Sequence, residues 1–465
     1  MNILHISAEC YPIAKVGGLA DVVGALPKYQ KELGTKSSVV MPFYNNKFTQ
    51  ENSFEKIHEG YIALGHKYYN FKVLKLTDHP LGFDLFCIDI PDLIYKNYVY
   101  SNDDTERFLA FQIATLDWVL TFKEKPDIIH THDHHTGLIP FMMLQSFKYE
   151  TLKAIPTVLT IHNAQYQGWF THEKVHLIPP FNFDKVGLID WSGAINSLAS
   201  AIKCAWNVTT VSPSYMEELK LKANGLEDLL NHESPKCIGI LNGIDCNVWS
   251  PETDEKLIKN YTTSSVISGK HVHKKWLCEE FHLDIKKPLF VFIGRLVGEK
   301  GADLFPEIFE QALIGNNISI LLLGSGHKET EEKLTKLPRK NFNTFIGYDE
   351  KLAHIMYAGA DFLLMPSRVE PCGLNQMYSL RYGTVPVVNA IGGLKDTIID
   401  IEQEGGFGIV HSGVTVEKVT TAIAKATAYY SKKGFLKNLK KIMEIDHSWN
   451  NSAKEYVHLY KSLKN

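Results

Sequence analysis

Apolar runs and helical repeats alternate along the chain, and this pattern occurs twice. Residues 2–7 form a short apolar run typical of a buried strand, and residues 20–33 carry apolar side chains at the spacing of a helix. Gly34 ends that helix, and residues 38–41 begin the next strand. A strand, a loop, a helix and a second strand in this order predict a doubly wound α/β sheet, whose ligands bind at the carboxyl ends of the strands.

The first half of the chain continues with more strands. Residues 51–105 are rich in Tyr, Phe and Lys with little periodicity, and we interpret them as strands and loops added to the first sheet. Further buried strands are predicted at the start of residues 126–135 and over residues 156–163, 205–212 and 236–241. The turn residues 242–245 follow, so we expect a domain boundary at about residue 250.

The same plan restarts in the second half, which predicts a second doubly wound sheet. Its strands are predicted at residues 288–294, 318–323, 343–348, 362–365 and 385–388. Helices are predicted from residues 299–301 to about Leu313, from Leu374 to Gly383, and from Lys395 to Asp400.

The last segment is predicted to be a helix that starts after Ser448, a plausible N-cap, and runs to Leu463. Its apolar stripe must be buried against one of the two domains. We therefore expect three segments: an N-terminal domain over residues 1–248, a C-terminal domain over residues 249–446, and a closing helix over residues 447–465.

Composition narrows the class of protein. A chain of 465 residues with 45% hydrophobic and 22% charged residues is typical of a globular protein with two domains. The formal net charge of -3 gives no reason to expect nucleic acid or an anionic membrane as a partner. No signal segment and no apolar run of membrane-spanning length is present, and the seven scattered cysteines lack metal-binding spacing, so we expect a cytoplasmic protein with reduced thiols.

Residues 362–383 are the most informative stretch for function. The predicted strand at residues 362–365 is stopped by Pro366, and a polar loop containing Glu370 leads to a helix that begins near Leu374. The first amides of a helix have no partner within it and favour a phosphate or carboxylate. This stretch therefore predicts either an anion site beside Glu370 or an ordinary loop with a solvated carboxylate.

Two other strand-to-helix turns carry positive charge. Lys15 precedes the adjacent glycines Gly17 and Gly18, which would let the backbone approach a bulky anion. Arg295 and Lys300 flank another such turn and could both reach one phosphate pair. The first turn is neither a Walker loop nor a GxGxxG fingerprint, so a tight turn with a surface lysine remains an alternative. Arg295 and Lys300 could likewise each be a solvated surface charge.

Residues 130–135 contain four histidines and one aspartate. In an extended chain His130, His132 and His134 would share one face, which is compatible with a metal site. No downstream ligand set matches, and the cluster lies at a strand end where sugar hydroxyls would also bind, so we favour a site without metal. His162 and Asn163 follow a later strand in the same kind of position.

Several separate motifs together resemble one family, the bacterial glycogen synthases and plant starch synthases. They are residues 15–22 (Lys-Val-Gly-Gly-Leu-Ala-Asp-Val), 132–138 (His-Asp-His-His-Thr-Gly-Leu), 160–163, 241–245, 294–301 and 367–374 (Ser-Arg-Val-Glu-Pro-Cys-Gly-Leu). The resemblance keeps chain order from residue 2 to the last helix. It implies the GT-B fold, in which two Rossmann-like domains face each other across a cleft and the C-terminal helix crosses back to the N-terminal domain.

The resemblance also implies an activity. Members of the family transfer glucose, with retention, from a nucleotide sugar to the non-reducing 4-hydroxyl of an α-1,4-glucan. We expect ADP-glucose as donor, glycogen or a malto-oligosaccharide as acceptor, and no cofactor or metal. UDP-glucose as donor and a nucleotide-sugar epimerase on the same fold remain alternatives, as do a metal-dependent hydrolase that uses the histidines and a non-catalytic glucan-binding protein.

The family's functional residues carry over to matching positions of this chain. Arg295 and Lys300 would hold the diphosphate, Lys15 with the Gly17–Gly18 loop would reach the distal phosphate, and Asp21 would orient that loop. The remaining contacts implied are Glu370 beside the anomeric carbon, Asp133, His162 and Asn163 on glucose hydroxyls, Asn242 near the same site, Tyr348 on the adenine, and Cys372, Gly373, Leu374 and Asn375 at the phosphate-binding helix start.

The chain departs from the family pattern at three positions. The family has an aromatic residue where Val369 stands, Trp where His134 stands and Thr where Asn375 stands. We expect Asn375 to cap the helix that begins there. His134 is the departure with the most direct consequence, since it would alter contacts with a sugar.

Overall fold

The computed structural model describes residues 1–102, 104–337 and 340–464. It divides the chain into two compact units. The N-terminal unit comprises Met1–Asn242 together with the chain from Trp449 onward, and the C-terminal unit comprises Gly243–Ser448.

A nine-stranded sheet forms the centre of the N-terminal unit. The strands of this unit are β1 (Asn2–Ile6), β2 (Lys36–Pro42), β3 (Phe54–Leu64), β4 (Lys67–Leu76), β5 (Asp84–Asp89), β6 (Ile128–His132), β7 (Thr157–Ile161), β8 (Trp169–Phe170), β9 (Asp190–Trp191), β10 (Ala194–Asn196), β11 (Asn207–Thr210) and β12 (Cys237–Gly239). The sheet order is β12-β11-β7-β6-β1-β2-β5-β4-β3. All pairs from β12 to β5 are parallel, and β4 and β3 continue the sheet as an antiparallel hairpin.

The hairpin accounts for the weak periodicity that the sequence shows between residues 51 and 105. Strands β3 and β4 have one face towards solvent, as an antiparallel edge allows. The central parallel strands β6 and β7 are buried at every position, which is why they have nearly continuous apolar or Thr and His sequences.

Helices cover this sheet. They are α1 (Gly18–Glu32), α2 (Lys47–Glu51), α3 (Thr105–Leu120), α4 (Ile139–Gln145), α5 (Ser197–Cys204), α6 (Pro213–Leu221) and α7 (Glu227–His232). Helix α1 buries Val22, Val23 and Leu26, the apolar positions that predicted it.

The C-terminal unit is a six-stranded parallel sheet with order β15-β14-β13-β16-β17-β18. Its strands are β13 (Leu289–Ile293), β14 (Ser319–Gly324), β15 (Phe342–Ile346), β16 (Phe362–Met365), β17 (Val385–Asn389) and β18 (Ile409–His411). Its helices are α8 (Val266–Glu280), α9 (Phe305–Gly315), α10 (Lys328–Thr335), α11 (Glu350–Gly359), α12 (Asn375–Arg381), α13 (Gly392–Thr397), α14 (Val416–Tyr430) and α15 (Gly434–Met443).

The last helix, α16 (Trp449–Leu463), belongs to the N-terminal unit. It buries Trp449, Tyr456 and Tyr460 in a cluster with Val22 and Leu26 of α1. Fully burying an aromatic side chain contributes roughly 2 kcal/mol, so this stripe holds the helix on the N-terminal unit. The predicted return of the C-terminal helix is confirmed.

Two predicted helix starts are wrong. The chain after Gly301 makes a short 3-10 turn over Ala302–Leu304 before α9 begins at Phe305. Helix α13 begins at Gly392 and not at Lys395. Gly392 and Gly393 pack against the loop that precedes α12, where a side chain would not fit, which explains the two glycines. Among the described residues, no helix has both the length and the apolar character needed to cross a membrane.

Candidate active site

The candidate residues of the N-terminal unit lie at the carboxyl ends of three adjacent strands. Strand β1 lies between β2 and β6, and β6 pairs with β7. The loop with Lys15 follows β1, Asp133 follows β6, and His162 and Asn163 follow β7. The edge of a parallel sheet thus brings together residues that are far apart in sequence, as the doubly wound plan predicts.

Glu9 holds the loop that leads into α1. One oxygen of its carboxylate, Oε2, accepts hydrogen bonds from the backbone N–H groups of Val16 and Gly17, at 2.6 and 3.0 Å. The Tyr100 hydroxyl donates to the other oxygen. Burial raises the pKa of Glu9, and these hydrogen bonds oppose that rise.

The two glycines of this loop face open space. A Cβ atom added to Gly17 or Gly18 would meet no atom within 4 Å, and Gly17 has an extended backbone. Neither packing nor a left-handed conformation therefore requires glycine here. The open space beside the backbone is compatible with a ligand that approaches it closely.

Lys15 and Asp21 form an ion pair beside the same loop, with 2.7 Å between Lys15 Nζ and Asp21 Oδ1. Burial raises the pKa of Asp21 and the neighbouring Lys15 lowers it. The Lys15 ammonium also lies 5.5 Å from the centre of the Tyr11 ring. These contacts direct the lysine while leaving it half exposed.

Asp133 lies at a strained turn after β6. Its φ angle is +55°, a left-handed value that is uncommon outside glycine. Its Oδ1 atom accepts hydrogen bonds from the backbone N–H groups of His162, at 2.7 Å, and Asn163, at 3.4 Å. Burial raises the pKa of Asp133 to about 7, although the two N–H groups act in the opposite direction.

His162 is buried and neutral. Burial lowers its pKa to about 3. Its Nε2 lies 3.0 Å from His132 Nδ1, and this contact begins a row of buried imidazoles. The Asn163 side chain accepts from Gln165 N–H at 2.9 Å, a local turn that fixes the loop after β7.

The histidines do not group as the sequence pattern suggests. His134 lies in a 3-10 turn over His134–Thr136, away from the face of β6 that carries His130 and His132. His5 of β1 joins those two, and one potential ligand atom from each lies within 4.8 Å of the others. His5 was missed because only the pairing of β1 with β6 brings it beside His130.

Asn242 stands at the end of the N-terminal unit. Its side chain is buried, and its Oδ1 atom has no hydrogen-bond partner among the residues that the structure describes. A buried amide oxygen without a partner costs free energy, which makes this atom a candidate acceptor for a ligand group.

Glu370 and Lys300 form the most buried ion pair of the proposed site in the C-terminal unit. Lys300 follows β13 and Glu370 follows β16, two adjacent parallel strands. Lys300 Nζ lies 2.6 Å from Glu370 Oε2, which also accepts from the Ser367 hydroxyl at 2.8 Å. Glu370 is only 7% exposed, so the alternative of an ordinary loop with a solvated carboxylate does not hold.

Backbone contacts hold the loop that carries Glu370. A Cβ atom on Gly392 would lie 2.0 Å from the Glu370 carbonyl oxygen, and one on Gly393 would lie 2.1 Å from that of Cys372. Arg368 donates to Asp303 through two guanidinium nitrogens, at 2.6 and 2.9 Å, and to the Gly298 carbonyl at 2.7 Å. The turn that contains Lys300 and the loop that contains Glu370 are therefore locked together.

Arg295 and Tyr348 are at the surface of the C-terminal unit. The Arg295 side chain is 70% exposed and lies 3.5 Å from Glu299, an exposed contact that leaves the guanidinium accessible. Tyr348 is 86% exposed. An accessible cation and an accessible ring are compatible with ligand binding.

The start of α12 differs from the prediction. Leu374 is its N-cap and makes no side-chain capping bond, while Asn375 Nδ2 donates to the Ile293 carbonyl at 2.8 Å. The expectation that Asn375 caps the helix is therefore wrong, because its amide instead ties α12 to the end of β13. Gly373 has a φ angle of +71°, which explains the glycine there, and Cys372 is buried.

His134 borders a cavity of about 170 Å³ in the N-terminal unit, together with His135, Phe108 and Trp169. The Nδ1 atoms of both histidines are buried without a hydrogen-bond partner among the described residues. Burial lowers the pKa of His134 to about 4. Val369, the second departure from the family pattern, is 42% exposed.

Comparison with known proteins agrees with this geometry. Residues 2–232 match the family model described as the starch synthase catalytic domain, and residues 278–441 match that of the group 1 glycosyl transferases. The two matches correspond to the two sheets.

Proteins named glycogen synthase match the chain over its full length. That of Flavobacterium johnsoniae is 51% identical, with 99% of this chain and 98% of the relative covered. That of Clostridium kluyveri is 36% identical, with 100% of both covered.

Solved structures with a similar fold include two glycosyl-transfer enzymes. The catalytic domain of starch synthase IV from Arabidopsis thaliana, bound to ADP and acarbose, superposes with a TM-score of 0.90 at 29% identity, covering 100% of this chain and 99% of that one. Sucrose-phosphate synthase from Thermosynechococcus elongatus shares the fold, with a TM-score of 0.64 at 16% identity and coverage of 100% and 99%. The chain is thus a glycosyltransferase with the GT-B fold and belongs to the glycogen and starch synthase family.

Proposed function

We propose that this enzyme transfers glucose from ADP-glucose to the non-reducing 4-hydroxyl of an α-1,4-glucan, releasing ADP and retaining the anomeric configuration. The relatives named glycogen synthase and the neighbour bound to ADP and acarbose support the donor and acceptor classes. The buried pair of Lys300 and Glu370 carries the proposal, since it joins a cation for the leaving group to a carboxylate for the sugar. We also propose a cytoplasmic location, with which the seven free thiols are compatible.

Lys300 and Arg295 bind the diphosphate in this proposal. Cleavage of the glycosyl–phosphate bond leaves negative charge on the diphosphate, so fixed cations stabilise the transition state more than the ground state. Each cation about 4 Å from the charge contributes roughly 4 kcal/mol at an effective dielectric constant of 20. Lys300 is already oriented by Glu370 and pays little conformational entropy on binding.

Glu370 faces the developing positive charge of the glucosyl group. Its carboxylate is held by Lys300 and Ser367 in a buried loop, so its position is set before substrate binds. A two-carboxylate glycosidase needs an acid and a nucleophile at a defined separation. We assign Glu370 an electrostatic role, with acceptor attack on the face that the phosphate leaves, and the departing phosphate takes the acceptor's proton.

The carboxyl edge of the N-terminal sheet supplies the sugar contacts. Asp133, His162 and Asn163 hold glucose hydroxyls, and their mutual hydrogen bonds supply the support that such contacts need. Asn242 adds its unpartnered Oδ1 as an acceptor near the same sugar.

The loop before α1 contacts the distal phosphate. Lys15 gives the charge, Gly17 and Gly18 give room for the phosphate, and Asp21 orients the lysine. In the C-terminal unit, Tyr348 stacks on the adenine, and Cys372, Gly373, Leu374 and Asn375 form the backbone beside the diphosphate. We assign no cofactor or metal to the reaction.

A donor comparison tests this proposal. Purified enzyme is given ADP-glucose or UDP-glucose with glycogen as acceptor, and NMR follows the new linkage. We expect ADP-glucose to be used faster, with an α-1,4 product from the α-linked donor.

Donor turnover without glucan would instead indicate an epimerase, and loss of activity in EDTA that a divalent metal restores would indicate metal chemistry at the histidines. Trapping of a glucosyl adduct on Glu370 with a slow donor would contradict the proposed role of the carboxylate.

A further inference from the structure

An unbroken row of hydrogen bonds joins Gln30 of α1 to His162 at the end of β7. Gln30 Oε1 lies 2.8 Å from His5 Nε2, and His5 Nδ1 lies 3.1 Å from His132 Nε2. His132 Nδ1 lies 3.0 Å from His162 Nε2. The row crosses strands β1, β6 and β7, and every side chain in it is buried.

The three imidazoles of this row are neutral. Burial lowers the pKa of His5 to about 4 and that of His162 to about 3, and it also lowers the pKa of His132. A neutral imidazole has one N–H donor and one acceptor nitrogen. Each ring between two partners must therefore donate to one and accept from the other, so the row has a single direction.

Gln30 sets that direction. Its Oε1 accepts from the Ser37 hydroxyl at 2.9 Å, and its Nε2 donates to the Tyr460 hydroxyl at 3.2 Å. Since Oε1 can only accept, His5 must carry its proton on Nε2. His5 Nδ1 then accepts from His132 Nε2–H, and His132 Nδ1 accepts from His162 Nε2–H.

We propose that Gln30, His5 and His132 are positioning residues that fix the tautomer of His162, so that its Nδ1 offers a lone pair to a donor group of the substrate. His162 Nδ1 has no hydrogen-bond partner within the described part of the chain. That the substrate group is a glucose hydroxyl rests on the proposed function. The tautomer itself does not.

The same histidines could instead bind a metal ion, since His5, His130 and His132 lie close together. Both ring nitrogens of each are already hydrogen-bonded, His130 to the Tyr460 hydroxyl at 2.7 Å and to the Thr160 hydroxyl at 2.6 Å. A metal would have to replace at least one of these bonds at every ligand. The hydrogen-bonded row therefore explains the cluster better than a metal site does.

Nitrogen-15 NMR of the full-length enzyme with labelled histidine tests the tautomer directly. The His162 signals are identified by their loss in His162→Gln. We expect wild-type His162 to be neutral at pH 7.5, with the proton on Nε2 and an unprotonated Nδ1. A proton on Nδ1, or a mixture of both tautomers, would overturn the proposal, as would zinc binding that shifts the His5, His130 and His132 signals together at one equivalent.

Variants at Gln30 test the origin of the direction. Gln30→Met removes the acceptor, so His162 should become a mixture of tautomers. Gln112→Met is the matched control, because Gln112 is another buried amide of the N-terminal unit whose hydrogen bonds lie outside the row. An unchanged His162 tautomer in Gln30→Met would overturn the role of Gln30. The wild-type spectrum decides the tautomer even if a variant does not fold.

Kinetics separate this role from a purely structural one. We expect Gln30→Met to lower kcat/KM for ADP-glucose about tenfold, which corresponds to the net contribution of one hydrogen bond to the sugar. ADP should bind as in wild type, because it has no glucose. Equal weakening of ADP and ADP-glucose would indicate a general structural defect and contradict the proposal. If the tautomer is as expected but ADP-glucose is not a substrate, the proposed function fails and the tautomer assignment stands.

Discussion

Replacing Lys300 by Met should both destabilise the C-terminal unit and inactivate the enzyme, for two different reasons. Lys300 Nζ lies 2.6 Å from Glu370 Oε2, and the two side chains are 22% and 9% exposed. Removing one partner of a buried ion pair costs roughly 3–5 kcal/mol because the other charge is left buried. Lys300 retains some solvent contact, so we expect the lower end of this range, about 3 kcal/mol.

The catalytic loss has a separate size. A cation about 4 Å from the leaving diphosphate contributes roughly 4 kcal/mol, which corresponds to about a thousandfold in rate. For a unit of about 200 residues, 3 kcal/mol corresponds to a fall of roughly 6–12 °C in Tm. Differential scanning calorimetry measures the first effect, and ADP release with glycogen as acceptor measures the second.

A double variant separates the two effects. Lys300→Met with Glu370→Gln leaves no buried charge, so most of the lost stability should return while activity stays low. Lys336→Met is the matched control, since that lysine is 76% exposed and its contact with Glu332 should contribute less than about 1 kcal/mol. The reasoning is refuted if Lys300→Met melts like the control, or if the double variant is no more stable than Lys300→Met.

Gly393→Ala should lower kcat at least tenfold, because the new Cβ would displace the loop that carries Glu370. Gly434→Ala is the control and should leave kcat unchanged, since its Cβ meets nothing within 4 Å. Equal kcat values for the two variants would contradict this packing. Glu9→Gln should raise KM for ADP-glucose, because a neutral amide holds the two loop N–H groups less firmly, and an unchanged KM would exclude the clamp. Stability should fall as pH drops from 6.5 towards 4, because the pKa values of His5 and His162 in the folded protein lie below the unfolded value of 6.5. At pH 5 each of these histidines lowers the free energy of unfolding by about 2 kcal/mol, and the raised pKa of Asp133 offsets about 2 kcal/mol of that loss. A higher Tm at pH 5 than at pH 7.5 would contradict this sign.

Local pattern was sufficient for the order and type of most elements. Continuous apolar runs such as those of β13 and β16 indicate buried parallel strands, and the repeat in residues 20–33 indicates α1, because these periods follow from the backbone geometry of each element. Helix starts were less predictable. In the sequence, Gly392 and Gly393 resemble a break before a helix, but in the structure they are its first two residues. Glycine is required at both positions because a loop more than twenty residues earlier in the chain packs against them.

The charged and polar groups that follow the strands, and the family motifs among them, are evident from the order of residues alone. Lys300 and Glu370 could both be singled out in this way. Three contacts become visible only in the folded chain: Lys300 and Glu370 form one buried pair, Glu9 holds the loop of Gly17, and His5 rather than His134 joins His130 and His132. Each of these contacts depends on which strands lie side by side, and strand order is set by the burial of the whole sheet and not by any local pattern.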